Sequence, residues 1–281
     1  HTAYRRQRQM CIRDRFMLAT FMDNNSVVAF YSLSDPDGTN ILSSSSALYN
    51  LSSGRLGGYG FASVLIPHTP NFSAKAGTWT FKNYANDLVN LSIRTGSTPS
   101  AATITVQPYI TGTIWSANDI ASALSVMSNI FNSNGITLYL KDTITISESQ
   151  YATVSDNFTD STTSALVSQG SKDTVNLFFV EDQPSSETAL LGISAGLPGT
   201  MGIASSWNGV INYLSAHATG STLNSQLLGE TAAHEMGHWL GLFHTTEANG
   251  TSFDPLLDLS LIHISEPTRP LYISYAVFCL K

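Results

Sequence analysis

Two of the seven histidines in this 281-residue chain, His234 and His238, are four positions apart, and Glu235 directly follows the first. On an α-helix, residues i and i+4 stand one above the other on one face, so these two imidazoles can share a metal ion. Zinc accepts histidine nitrogens at about 2.0–2.1 Å, and a catalytic zinc takes three protein ligands and leaves a fourth position to water. Gly241, three residues past His238, can take the left-handed conformation that ends a helix and turns the chain sharply. His244 can then swing back as the third ligand. Glu235 points to one side of the ligand pair, where its carboxylate reaches the zinc-bound water instead of the zinc. The metal lowers the pKa of that water towards about 7 and polarises a carbonyl, and Glu235 serves as general base. Water then attacks a peptide directly, with no acyl-enzyme.

A bare His-Glu-x-x-His arises by chance in helices. Requiring Gly241 and His244 at two further fixed positions cuts chance matches by roughly three orders of magnitude. The run from His234 to His244 resembles the metzincin signature, and Gly229-Glu230-Thr231-Ala232-Ala233 ahead of it is similar to that group's active-site helix. His238-Trp239-Leu240-Gly241-Leu242-Phe243-His244-Thr245 most resembles the pappalysin-like proteins, and the resemblance covers about residues 104–258. It implies an α+β catalytic domain: a mixed twisted sheet, an active-site helix and an antiparallel edge strand that pairs with extended substrate. That edge strand is expected at 210–214, which makes Val210, Ile211, Asn212 and Tyr213 candidate substrate-binding residues, with 191–196 just before it. By the same resemblance, Asp254 and Asp258 look like the start of a calcium-binding loop. One departure stands out. Metzincins place a methionine in a tight turn beneath the zinc, and no Met follows Met236 here. The chain as written is therefore expected to fold poorly and to cleave weakly or not at all.

The elements that must position these residues fall into two halves. From 16 to 100, short runs rich in β-branched and aromatic residues (27–31, 62–66, 78–81, 89–93) alternate with turn signals such as Asp35-Pro36-Asp37-Gly38. That spacing predicts a small β-sandwich, and 76–81 with 91–96 resembles the jelly-roll accessory domains of secreted bacterial peptidases. Residues 96–100 read as a linker to a peptidase domain over 101–258. There, 104–110 reads as an opening strand. Ser116 can cap a helix whose apolar positions Ile120, Ala123, Leu124, Met127, Ile130 and Phe131 keep helical spacing, with Gly135 after its end. Strands are expected at 136–146 and 175–180, a short helix at 163–169, an irregular stretch over 181–208 and the active-site helix over 223–240. His68 and His217 read as surface or loop residues, and Trp239 and Phe243 as inward-packing ones.

The two ends read differently. Residues 259–269 and 273–281 can be back-translated into a transposase-type sequencing-library adapter and its flow-cell end, and 5–14 into the opposite adapter. On that reading 1–15 and 259–281 are artefact rather than fold; otherwise Arg5, Arg6, Arg8 and Arg13 would suggest a basic nucleic-acid or targeting arm. Setting the ends aside leaves six basic and 18 acidic residues and shifts the net charge from -7 to -12. Six scattered cations cannot line a phosphate backbone, so nucleic acid and anionic membrane are poor partners. Both cysteines, Cys11 and Cys279, lie in the ends, so packing and metal must hold the remainder. No run of 18 apolar residues offers a membrane span, and a composition rich in Ser, Thr and Asn suits a secreted protein.

Three functions compete on these observations. The first is a zinc endopeptidase acting on extracellular protein or peptide. The second is an adhesion or binding protein whose peptidase fold is a relic; an intact Glu235 argues against it, because a relic need not keep its base. The third is a zinc hydrolase of a non-peptide substrate.

Overall fold

The computed structural model describes residues 7–12, 17–42, 57–66, 75–84, 90–94, 102–186, 190–196, 199–200, 202 and 204–242. The chain divides into two compact units, with a boundary at Thr98/Pro99. The first carries an antiparallel five-stranded sheet of β1 (Gln7–Ile12), β2 (Met17–Ser34), β3 (Gly57–Ile66), β4 (Gly77–Tyr84) and β5 (Asn90–Arg94), in the order β1-β4-β2-β3 with β5 also on β2. Four successive residues of β3, Phe61 to Val64, are buried. Since successive side chains point to opposite faces, both faces of the sheet are covered there. In β2 the buried positions run Val28, Phe30, then Leu33, with Tyr31 66 % exposed. The register with β4 shifts between Phe30 and Ser32, so Tyr31 is the extra residue of a bulge that restores Leu33 to the buried face.

The turn signal after β2 closes as its residues dictate. Asp35 Oδ1 accepts from the N–H groups of Asp37 and Thr39, Gly38 takes φ +84°, and Lys75 Nζ reaches Asp35 Oδ2 at 2.7 Å. β1 lies within the segment that reads as adapter, yet it pairs with β4 from Gln7↔Lys82 to Ile12↔Gly77. Main-chain hydrogen bonds at an open sheet edge accept almost any sequence, so this pairing leaves the codon reading where it stood. The described strands form one sheet; the second sheet of a sandwich is not among them.

The second unit is a mixed six-stranded sheet. Its order is β10 (Gly192–Ser194), β11 (Val210–Tyr213), β9 (Val175–Val180), β6 (Ala102–Thr111), β7 (Ile136–Leu140), with β8 (Ile144–Ile146) also on β6. All pairings are parallel except β10 on β11. The expected strand over 136–146 is thus two short strands that dock in turn on β6. α1 (Ala117–Ser133) follows β6. Ser116 and Asp119 form its capping box, Gly135 takes φ +76° beyond its end, and Ile120, Ala123, Leu124, Met127 and Phe131 are buried. α2 (Ser161–Val167) starts at Asp160, whose side chain accepts from Thr162 and Thr163 N–H. A two-residue ribbon, β12 (Ala218–Thr219) with β13 (Thr222–Leu223), leads into α3 (Ser225–Trp239), capped by Asn224 Oδ1 on Leu227 N–H.

One expectation is corrected here. Val210, Ile211, Asn212 and Tyr213 do not form the edge strand: β11 is paired on both sides and all four residues are buried. The antiparallel edge is β10, from the stretch expected to be irregular. Three residues with two glycines' worth of loop nearby carry no β-periodicity, so only the sheet's need for a last strand marks them.

Candidate active site

Helix α3 carries His234, Glu235 and His238, and close contacts fix its path. At Gly229 the helix meets α1 so tightly that a Cβ would lie 2.5 Å from the Ala123 carbonyl oxygen. At its far end Trp239 is buried against Gly199, whose N–H donates to the Trp239 carbonyl at 2.8 Å. Trp239 therefore packs inwards, as its position implied. Between these points the helix lies on the edge strand: a Cβ on Gly192 would meet Glu235 Cγ at 2.9 Å and Thr231 Cγ2 at 3.0 Å.

His234 and His238 stand on one face with their Nε2 atoms 3.0 Å apart and their rings nearly perpendicular, at 83°. Two ring nitrogens that close cannot both present bare lone pairs to each other; either one carries a proton that it donates to the other, or a cation between them takes both lone pairs. A tetrahedral zinc with bonds of about 2.0–2.1 Å would hold two nitrogens about 3.3 Å apart, so the pair fits zinc with a small adjustment. Gly241 takes φ +103°, the turn conformation a third ligand would need. His244, Phe243, His68, Asp254 and Asp258 lie outside the described residues.

The hydrogen-bond register of β10 decides what its outer edge offers. Tyr213 N–H donates to Leu191 O and Ala195 N–H to Gly209 O, while Gly192 and Ser194 sit opposite Asn212 and Val210. These alternate positions of an antiparallel pair point their main-chain groups away from the partner strand. The N–H and C=O of Gly192 and Ser194 thus face outward. Glu235 is half-buried, and burial pushes its carboxyl up to about 7, although the Ser194 N–H that bonds to it pulls the other way. A carboxyl poised there suits a general base working near neutral pH.

His217 is not the loop histidine its sequence setting suggested. It is 2 % exposed, with both ring nitrogens engaged, because the turn after β11 folds it beneath α3. Sequence reasoning also missed Gly192 and Ser194. A glycine beside Ile193 in an otherwise irregular stretch was the available sign of close backbone approach there.

Residues 117–245 match the family model described as Metallo-peptidase family M12B Reprolysin-like. An extracellular metalloprotease of Colletotrichum graminicola is 42% identical over 76 residues, which are 26% of this chain and 25% of that protein. The chain therefore matches about a quarter of that relative's length. Both likenesses are to metallopeptidases, and the family match takes in the helix that bears His234, Glu235 and His238. No helix among the described residues is long and apolar enough to cross a membrane.

Proposed function

We propose that the chain is a zinc-dependent endopeptidase of the metzincin kind, closest in its signature to the pappalysin-like proteins, secreted and acting on extracellular protein or peptide. The convergence of His234 and His238 Nε2 at 3.0 Å, beside Glu235 of the same helix where it packs on Gly192 of the edge strand, carries this reading. His234 and His238 would hold zinc through Nε2, and His244 would complete the set. When bound, zinc supplies a Lewis acid and an acidified water. An extended substrate adds to β10 as an antiparallel strand, taking the outward N–H and C=O of Gly192 and the C=O of Ser194, whose N–H is held by Glu235. Glu235 accepts a proton from the attacking water as the new C–O bond forms, then delivers it to the departing amide nitrogen as the C–N bond breaks.

The test is zinc uptake by the 281-residue chain followed by casein hydrolysis. We expect weak hydrolysis, in keeping with the lack of a methionine after Met236, that is lost on chelation, restored by zinc and lost in Glu235→Ala with zinc uptake preserved. A zinc-loaded chain that binds glycan saturably and hydrolyses nothing would instead favour the adhesion reading.

A further inference from the structure

The imidazole of His217 lies in the short turn Ser215–His217 that follows β11. Its Nδ1 is 2.7 Å from the Tyr213 carbonyl oxygen and its Nε2 is 2.9 Å from Thr231 Oγ1. A carbonyl oxygen can only accept, so Nδ1 carries the proton. In the neutral ring Nε2 is then an acceptor, and the Thr231 hydroxyl donates to it. Thr231 Oγ1 also lies 3.0 Å from the Leu227 carbonyl. That oxygen already has its helical N–H partner, so turning the hydroxyl towards His217 strands nothing.

Thr231 is one helical turn before Glu235 and faces the same way. The two residues straddle Gly192, at 3.0 Å and 2.9 Å from where its Cβ would be. A roll or slide of α3 at Thr231 therefore moves the Glu235 carboxyl relative to β10, where extended substrate would lie. Apolar packing alone sets such a roll loosely, because many rotations bury similar area. A directional hydrogen bond from the end of β11 sets it narrowly.

We propose that His217 is a positioning residue: it latches Thr231 to the end of β11 and thereby fixes Glu235 against the edge strand. The latch is independent of the endopeptidase reading; only its effect on hydrolysis rests on that reading.

The experiment uses the zinc-loaded chain labelled with ¹⁵N at histidine, with His217→Gln to assign the resonance. The expected signal is the neutral Nδ1–H tautomer. Thr231→Val keeps the volume and the Cγ2 methyl but removes the donor; Thr231→Ser keeps the donor. We expect Thr231→Val to lower kcat by about 10- to 100-fold, the scale of a misplaced catalytic group, with KM and zinc affinity unchanged. Thr231→Ser should retain kcat, and His217→Gln combined with Thr231→Val should be no worse than Thr231→Val alone. An Nε2–H tautomer, wild-type kcat in Thr231→Val, or additive losses in the double variant would overturn the proposal. A wild-type chain without zinc-dependent hydrolysis would count against the endopeptidase reading instead; the tautomer, and faster amide exchange over 231–235 in Thr231→Val, would then decide the latch.

Discussion

At the scale of single residues, the site is defined as much by what Gly192 lacks as by what Glu235 carries. A methyl group at Gly192 would press on Glu235 Cγ, on Thr231 Cγ2 and on the Ile211 carbonyl oxygen, the last at 2.9 Å. The two side chains can shift, but the backbone of β11 cannot. Overpacking of this kind costs about 1–3 kcal/mol, and relief comes by moving the helix side chains away from the strand. Gly192→Ala should therefore lower the thermal midpoint and reduce casein hydrolysis while leaving zinc uptake intact, since the atoms a Cβ there presses first belong to Glu235, Ile211 and Thr231 rather than to His234 or His238. Equal loss of zinc uptake and hydrolysis would mean that the whole helix had moved. The pairing of His234 and His238 on one helix face was legible in the sequence because a spacing of four is close to one helical turn. The partners of Glu235 were not, because a backbone N–H such as that of Ser194 has no residue signature.

At the scale of elements, legibility follows how local the determinant is. α1 could be read from Ser116, its apolar spacing and Gly135, because capping and amphipathicity lie within one stretch of chain. β9 could be read as a buried strand because five of its six residues are apolar, with Asn176 the exception. The edge position could not: whether β11 or β10 is outermost depends on pairing between segments some twenty residues apart, and β10 is only three residues long. The crossing of α3 over α1 is equally non-local. Gly229 reads as a poor helix former, and Ala there would gain about 1 kcal/mol in intrinsic propensity. Against that gain stands a Cβ 2.5 Å from the Ala123 carbonyl oxygen and 2.6 Å from Val126 Cβ. Because the nearest atom is backbone, the steric cost of about 1–3 kcal/mol outweighs the propensity. Gly229→Ala should lower the urea midpoint of unfolding; a raised midpoint would show that α1 and α3 can part without loss.

At the scale of the whole molecule, the buried ionisable groups set how stability responds to acid. His217 has its pKa lowered from 6.5, first by burial, with the bond to the Tyr213 carbonyl opposing. As pH falls through 6.5 the unfolded chain takes a proton that the folded chain refuses, so this residue makes stability fall, and the loss ends only below the folded pKa. Glu235 has the opposite sign. Its carboxyl is raised from 4.5 to about 7, so the folded chain takes the extra proton and stability rises as pH falls across that window. Asp35 enters later. Burial raises its pKa, but Lys75 and the turn N–H groups outweigh burial and leave it below 3.8, so its contribution is lost only under stronger acid. Just below pH 6.5 the His217 and Glu235 terms therefore oppose each other. The metal-free wild-type chain should show a urea midpoint that changes less with pH below 6.5 than that of a variant lacking either group. Glu235→Gln should expose the histidine term, with stability falling towards acid at up to about 1.4 kcal/mol per pH unit. His217→Gln should expose the carboxyl term, with stability rising over the same range. If both variants kept the profile of the wild type, neither group would titrate differently in the folded and unfolded chains, and the burial of His217 beneath α3 and the packing of Glu235 against β10 would be wrong.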